Sequence, residues 1–399
     1  MISVKDFLKQ NSTDDLNRKA EEYFARIEDP TYLLSKPFAA IDECSKLLFN
    51  FAALLQGLRL HKFMDVMEFG AGPCWCSHLL SQLGCKAYAV DVSPTALKIG
   101  QDRYARHPPF GEQPAPEFLL YDGYRLPLPD ASVDRILCYD AFHHVPNPEH
   151  LIGEMARVLR SDGVAGFAEP GPAHSTCAES QMEMETHGVL ENDIVVEDIW
   201  RRAQEVGFRR LELSALGLPV QLGLPDYDRF VAGPSPLDGQ VVDALRNSAR
   251  SARMFFLGKE EHPVPDSRNS QGLMADLEVT LPQGTSYRSG GSIEAAVRVR
   301  NTSRSVWLPT TARLGAVHLG AHLFDLTRRR PDHDYFRTSL TPGEGVPVRP
   351  GDEVVFDTRV PCPPPGTYDL EFDLVSEHVT WFSAFDKAGT RKFRIEVVP

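Results

Sequence analysis

Over residues 1–64 apolar positions recur at three- and four-residue spacing, most clearly at 39–58 (AAIDECSKLLFNFAALLQGL), and predict a helical cap. From Asp65 the pattern changes to short apolar runs alternating with amphipathic segments. Strands are predicted at 65–69, 87–90, 117–121, 134–139 and 163–169, with helices at 76–83, 94–105 and 148–159 between them. Ser93 and Pro94 suit the N-cap and first turn of the second of these helices. A helix at 197–206 and strands at 208–214 and 253–258 complete a seven-stranded, doubly wound α/β sheet. The polar, Met-rich stretch 174–192 reads as a lid or substrate loop. Residues 218–238, rich in Gly, Pro and Leu, show no clear period.

Beyond a polar linker at 263–271 the period becomes two. Ile293, Ala295, Val297 and Val299 alternate with polar neighbours, and 354–360, 368–374 and 392–398 do likewise. Pro342-Gly343, Pro350-Gly351 and Pro365-Gly366 mark turns between them. This predicts an all-β, immunoglobulin-like sandwich of seven or eight antiparallel strands. The expected division is 1–64 helical cap, 65–262 α/β domain, 263–271 linker and 272–399 sandwich.

At 399 residues the chain is long enough for two cores. A net charge of −13 argues against non-specific nucleic-acid or anionic-membrane partners, which require a basic surface. No apolar run has the length of a membrane span or a signal core, so no transmembrane segment and a cytoplasmic location are expected. Seven scattered cysteines read as small core residues rather than disulfides. Cys74-x-Cys76 has no second pair and His78 does not complete a zinc set, so no metal site is expected.

The candidate chemistry starts where the first strand ends, at Glu68-x-Gly70-x-Gly72. Asp91 follows Glu68 by 23 positions (91 − 68), at the end of the second strand, where a carboxylate can accept from two ribose hydroxyls. A dinucleotide site would place a third glycine at 75, but Trp75 stands there. Glu68 would repel a polyphosphate and attract an ammonium or sulfonium. These residues resemble class I S-adenosylmethionine-dependent methyltransferases with a Rossmann-like fold. The resemblance covers about 63–171 and continues more faintly to 259. It takes in Asp122-Gly123, Leu126-Pro127 and Asp130-x-x-x-Asp134, and then Tyr139-Asp140-Ala141-Phe142-His143-His144-Val145. It implies S-adenosyl-L-methionine as cofactor, held by Glu68, Gly70, Gly72, Asp91, Val92, Asp122, Gly123 and Tyr139, with Asp122 accepting from the adenine amino group. His143 or His144 can serve as general base, because imidazole changes charge near neutral pH; shaping the cleft is the alternative role. Glu169 and His174 are further candidates, with a turn-capping role for Glu169.

The C-terminal pattern, including Trp307, His322, Trp381 and Phe382, resembles sandwich modules of bacterial surface-polysaccharide enzymes and, more distantly, O-antigen transporter carbohydrate-binding domains. That resemblance implies aromatic stacking on sugars; core packing of Trp307 and Trp381, or homo-oligomerisation through the sheet, are the competing roles. Tyr368 resembles a tyrosine corner. Three functions follow: O-methylation of a sugar hydroxyl in a surface glycan or its precursor, methylation of a small metabolite or quinone-like acceptor, or non-catalytic glycan binding.

Overall fold

Buried apolar runs flanked by a glycine turn or an N-cap become strands of one sheet, as a computed structural model of the chain shows. It describes every residue except 61–63, 112, 216–221, 236, 263–264, 283–285, 311, 313, 341–345 and 386–388. The chain divides into two units, Met1–Pro263 and Val264–Pro399.

The first unit begins with α1 (Val4–Gln10), α2 (Thr13–Ala25), α3 (Thr31–Ser35) and α4 (Ile41–Leu58). Ser12 caps α2 through a reciprocal capping box with Asp15. The alternating part follows as β1 (Asp65–Phe69), α5 (Trp75–Gln82), β2 (Lys86–Asp91), α6 (Pro94–Arg106), β3 (Glu117–Leu120), β4 (Val133–Tyr139), α7 (Pro148–Val158) and β5 (Leu159–Pro170). Then come α8 (Ala178–Thr186), α9 (Val196–Glu205), β6 (Arg210–Leu213), α10 (Leu224–Ala232), α11 (Leu237–Ser251) and β7 (Ala252–Gly258).

The seven strands lie in the order β3-β2-β1-β4-β5-β7-β6, and β7 runs antiparallel to its two neighbours. The order reverses between β1 and β4, the place where open α/β sheets bind ligands beyond the strands' carboxyl ends. Leu54 and Leu58 of α4 pack with Val66, Leu137 and Phe256 on one side of the sheet. Ile152, Met155, Ile199 and Phe208 join Met67 and Phe167 in a second cluster.

Two expectations need correction. The stretch 174–192 is not all loop, since it holds α8, whose buried face is only Ser180 and Met184. The 218–238 region contains α10 and runs into α11; neither buries a residue, so no apolar face announces them.

The second unit contains β8 (Ala275–Thr280), β9 (Ser286–Arg288), β10 (Ser292–Asn301), β11 (Val317–Asp325), β12 (Arg330–Ser339), β13 (Glu353–Pro361), β14 (Gly366–Ser376), β15 (Thr380–Trp381) and β16 (Arg391–Val398). One sheet runs β13-β10-β8 and the other β12-β11-β14-β16-β9, with β15 beside β14. The described residues of this unit hold nine strands where seven or eight were expected, because short β9 and β15 carry too few residues to show a period. In β10 burial alternates at every residue, which places Ile293, Ala295, Val297 and Val299 in the core shared with the facing sheet. The Pro342-Gly343 turn lies outside the described residues.

The expected linker is also corrected from residue 265 onward. Ser267 is buried; its hydroxyl donates to Gly315 O (2.6 Å) and its carbonyl accepts from Ser376 Oγ (2.6 Å). Asp266 bridges to Val306, so these residues belong to the second unit.

Candidate functional site

The carboxyl ends of β1, β2 and β4 surround a cavity of about 370 Å³, roofed by α2. That volume lies in the range of small-molecule sites. Gly70 (φ 66°) and Gly72 (φ 48°) take the left-handed backbone that a side chain disfavours. A Cβ on Gly70 would stand 2.3 Å from Ala141 Cβ, so β1 and the β4 loop can meet here only over a glycine. The turn is fastened by Asp91, whose two oxygens accept from Gly72 N and Ser93 N, each at 2.8 Å. Trp75, in place of a third glycine, fills the start of α5 and meets Tyr139 edge-on at 5.2 Å.

Glu68 is buried beneath this turn and accepts from Ser77 N (2.7 Å) and Ser77 Oγ. Burial pushes its carboxyl up to about 7 against the opposing Ser77 bonds, and the charge of Asp91 adds to the rise. Burial also raises Asp91, while its backbone donors oppose the shift. Two acidic groups held out of water beside a cavity are costly unless a cation or hydroxyl donors complete them.

The cap helices are wired into the site. Glu21 of α2 accepts from Ser93 Oγ, Thr95 N and Thr95 Oγ1, and so caps α6 from outside. Arg103 of α6 donates to Pro73 O in the glycine turn (3.1 Å) and to Lys36 O (2.9 Å) and Leu33 O on the cap side. Asn17, Tyr23 and Phe24 of α2 thereby line the cavity. The sequence signal for them was only the helical period of the cap.

Of the expected cofactor residues, Glu68, Gly70, Gly72, Asp91, Val92, Gly123 and Tyr139 all line the cavity. Asp122 does not: its Oδ1 accepts from Tyr124 N and Arg125 N (both 2.7 Å), the geometry of an Asx turn. Tyr121 and Asn147, which line the cavity near it, each carry a buried side-chain oxygen, Oη and Oδ1, with no hydrogen-bond partner among the described residues. Buried atoms left this way are uncommon in folded proteins and suit a ligand that would complete them. Neither was picked out from sequence, since only the folded loop orients them.

The two histidines part ways. His144 lines the cavity; His143 is not among its lining residues and is buried behind. His143 Nδ1 sits 2.8 Å from Glu169 Oε2, and the same carboxylate accepts from the backbone N–H of Ala141, Phe142 and His143. Glu169 is thus the cap of the turn Phe142–His144, as its sequence position allowed. Burial opposes charge on His143, but the Glu169 bond and the charges of Glu169, Asp140 and Glu191 outweigh it and raise its pKa. His144 Nδ1 donates to Leu190 O (2.7 Å), which leaves Nε2 as its lone-pair atom. Desolvation, then the charge of His143, lowers the pKa of His144, so its imidazole is neutral at pH 7. Glu191, which also lines the cavity, was missed in sequence because it is a single acid inside the polar stretch 174–192.

In the second unit Trp307 and Phe382 are core, 5.5 Å apart, and so are unavailable for sugar stacking. Trp307 Nε1 donates to Ser303 Oγ (3.2 Å). His322 and Trp381 retain partial exposure with rings 4.2 Å apart, and the Arg337 guanidinium lies 5.1 Å over the Trp381 ring. Tyr368 Oη donates to Pro364 O (2.8 Å), a structural corner. Cys74, Cys76, Cys85 and Cys138 of the α/β sheet region are buried thiols and form no disulfide. No helix among the described residues is long and apolar enough to cross a membrane.

Residues 67–167 match the model of a methyltransferase domain. A probable S-adenosylmethionine-dependent methyltransferase of Mycobacterium tuberculosis is 31% identical over 106 residues, 27% of this chain and 35% of that protein. A methyltransferase of Streptomyces halstedii is 32% identical over 110 residues, 27% of this chain and 37% of that protein. A demethylmenaquinone methyltransferase of Tropheryma whipplei is 29% identical over 109 residues, 27% of this chain and 43% of that protein. The match spans about a third of the length of the first two of these relatives. Residues 67–167 of the first unit are therefore a methyltransferase domain, set in a Rossmann-like sheet and similar in sequence to an S-adenosylmethionine-dependent relative.

Proposed function

We propose that the protein transfers the methyl group of S-adenosylmethionine to a hydroxyl of a sugar, in a surface glycan or its precursor. The observation that carries the methyltransferase part is the convergence of Glu68, Asp91 and the Gly70–Gly72 turn on one cavity at the strand-order switch. The residues fit the cofactor. Asp91 keeps lone pairs for ribose hydroxyls after its two backbone bonds, Glu68 supplies negative charge for a cationic group, and Asn147, held to Gly123 O by its amide nitrogen, has an Oδ1 with no partner among the described residues. Asn147, rather than Asp122, is our candidate acceptor for the adenine amino group.

Bound there, the cofactor supplies a methyl group activated by its sulfonium. The chain's own work is to hold the acceptor in line and keep water out, which in well-oriented reactions accounts for roughly 7–11 kcal/mol of the barrier. The α2 roof, with Tyr23 and Phe24, closes one side. His144, neutral and at the wall, is the candidate proton acceptor; His143, locked by Glu169, positions that turn.

The sugar acceptor rests on the second unit, where His322 and Trp381 offer aromatic surface. A quinone-like or metabolite acceptor is the second reading, favoured by apolar cavity residues such as Leu16, Leu47, Val145 and Leu190 and by the name of one relative. A glycan array probed with the intact chain separates them. We expect sugar binding that Trp381→Ala removes without loss of fold. Trp307→Ala should instead destabilise the second unit by about 3–5 kcal/mol in thermal unfolding. An array with no signal would sink the glycan reading and favour the second.

A further inference from the structure

Behind the turn that carries His144, three side chains from distant parts of the first unit meet. His143 follows β4, while His174 and Glu191 flank α8 on either side. One ligand atom from each lies within 4.8 Å of the other two. His174 Nε2 is 2.6 Å from Glu191 Oε2, and His143 Nε2 is 3.7 Å from the same oxygen. His143 and Glu191 are buried and His174 is partly so. We propose that His143, His174 and Glu191 bind a divalent transition metal of the zinc type.

The donor set is the first argument. Two imidazole nitrogens and one carboxylate oxygen are what zinc and its first-row neighbours take when a coordination position is left for water or substrate. Orientation is the second. Glu169 holds His143 by Nδ1, so the Nε2 lone pair is directed at the cluster, the carboxylate–histidine–metal arrangement that fixes ligand tautomers. Asp193 holds the turn that bears His174, accepting from Ser175 N (2.8 Å) and Ser175 Oγ (3.1 Å). Ser180 Oγ stands 3.4 Å from Glu191 Oε2, within reach of donating to that carboxylate. A structural hydrogen-bonded triad would need only the His174–Glu191 contact. It gives no reason for a third, separately braced imidazole aimed at the same carboxylate.

Position gives the site its use. Glu191 lines both the cluster and the cavity, so a metal there would border the space assigned to the acceptor. An acceptor hydroxyl on the open position would lose its proton more readily. That consequence rests on the methyltransferase reading; the metal site does not. Metal ligands contributed from both ends of α8 also explain why the stretch 174–192 is polar although part of it is buried.

The test uses the intact chain stripped of metal and titrated with Zn²⁺ and with Co²⁺, the latter followed by its visible absorption. One equivalent should bind, with a tetrahedral or five-coordinate cobalt spectrum, and should raise the melting temperature. His174→Ala and Glu191→Gln should each weaken binding at least about tenfold. His318→Ala, in the second unit, should leave it unchanged. Circular dichroism of each variant separates ligand loss from misfolding. Absence of stoichiometric uptake by the wild-type chain, or uptake unaltered in both folded ligand variants, would overturn the proposal. Cofactor binding measured on the same samples keeps the two readings apart, since metal uptake without cofactor binding would sink the methyltransferase reading alone.

Discussion

Asp91→Ala is expected to weaken S-adenosylmethionine binding by about 10²- to 10⁴-fold in calorimetric titration. The magnitude follows from two lost hydrogen bonds between ribose hydroxyls and a charged acceptor, at roughly 1.5–3 kcal/mol each. Part of the effect is indirect, because Asp91 also holds Gly72 N and Ser93 N and so sets the glycine turn. Asp91→Asn divides the two contributions. The amide oxygen can keep one backbone bond, so the turn should survive while the charge is lost. A loss smaller than tenfold in both variants would mean that the ribose lies elsewhere.

The second large effect is on pH dependence and centres on Glu68. Its folded value of about 7 lies above the ordinary carboxylate value, so the ligand-free protein holds this proton at pH 5. Folding is then favoured by the bound proton at low pH, and that contribution is lost as pH rises through about 7. The shift corresponds to roughly 3 kcal/mol at pH above 8. A cationic ligand reverses the preference, because it needs the ionised carboxylate. Affinity should therefore fall about tenfold per pH unit below pH 7, with a proton released on binding at neutral pH. Glu68→Gln should flatten both curves. It should leave the ligand-free protein more stable than wild type at pH 8, yet bind the cofactor no better at pH 8 than at pH 6. A wild-type affinity flat between pH 6 and 8 would remove Glu68 from contact with the cation.

The sheet was legible because its strands carry apolar stretches buried on both faces, such as Ile136, Leu137 and Cys138 in β4, bounded by turns and caps. Seven of the eight positions expected for the cofactor line the cavity because they are local to strand ends, where sequence and space coincide. Asp122 shows the limit: a carboxylate before glycine suits a ligand or a turn, and only the folded loop shows its Oδ1 accepting from Tyr124 N and Arg125 N. His143 and His144 are neighbours in sequence with opposite surroundings, one braced by a carboxylate 26 positions away and one at the cavity wall. Glu191 and Asn147 were illegible for the same reason: long-range packing, and no local pattern, brings them to the site. In the second unit alternation revealed the strands, but an aromatic on a strand reads the same whether it is core, like Trp307, or partly exposed, like Trp381.

The account stands or falls on whether the cavity between β1, β2 and β4 holds the cofactor. Calorimetry of the intact chain with S-adenosylmethionine, run beside Gly70→Arg, addresses this most directly. The account predicts one-to-one binding by the wild-type chain and none by the variant, in which a side chain must enter the space between Gly70 and Ala141. No heat of binding in the wild type, or equal affinity in the two proteins, would contradict it.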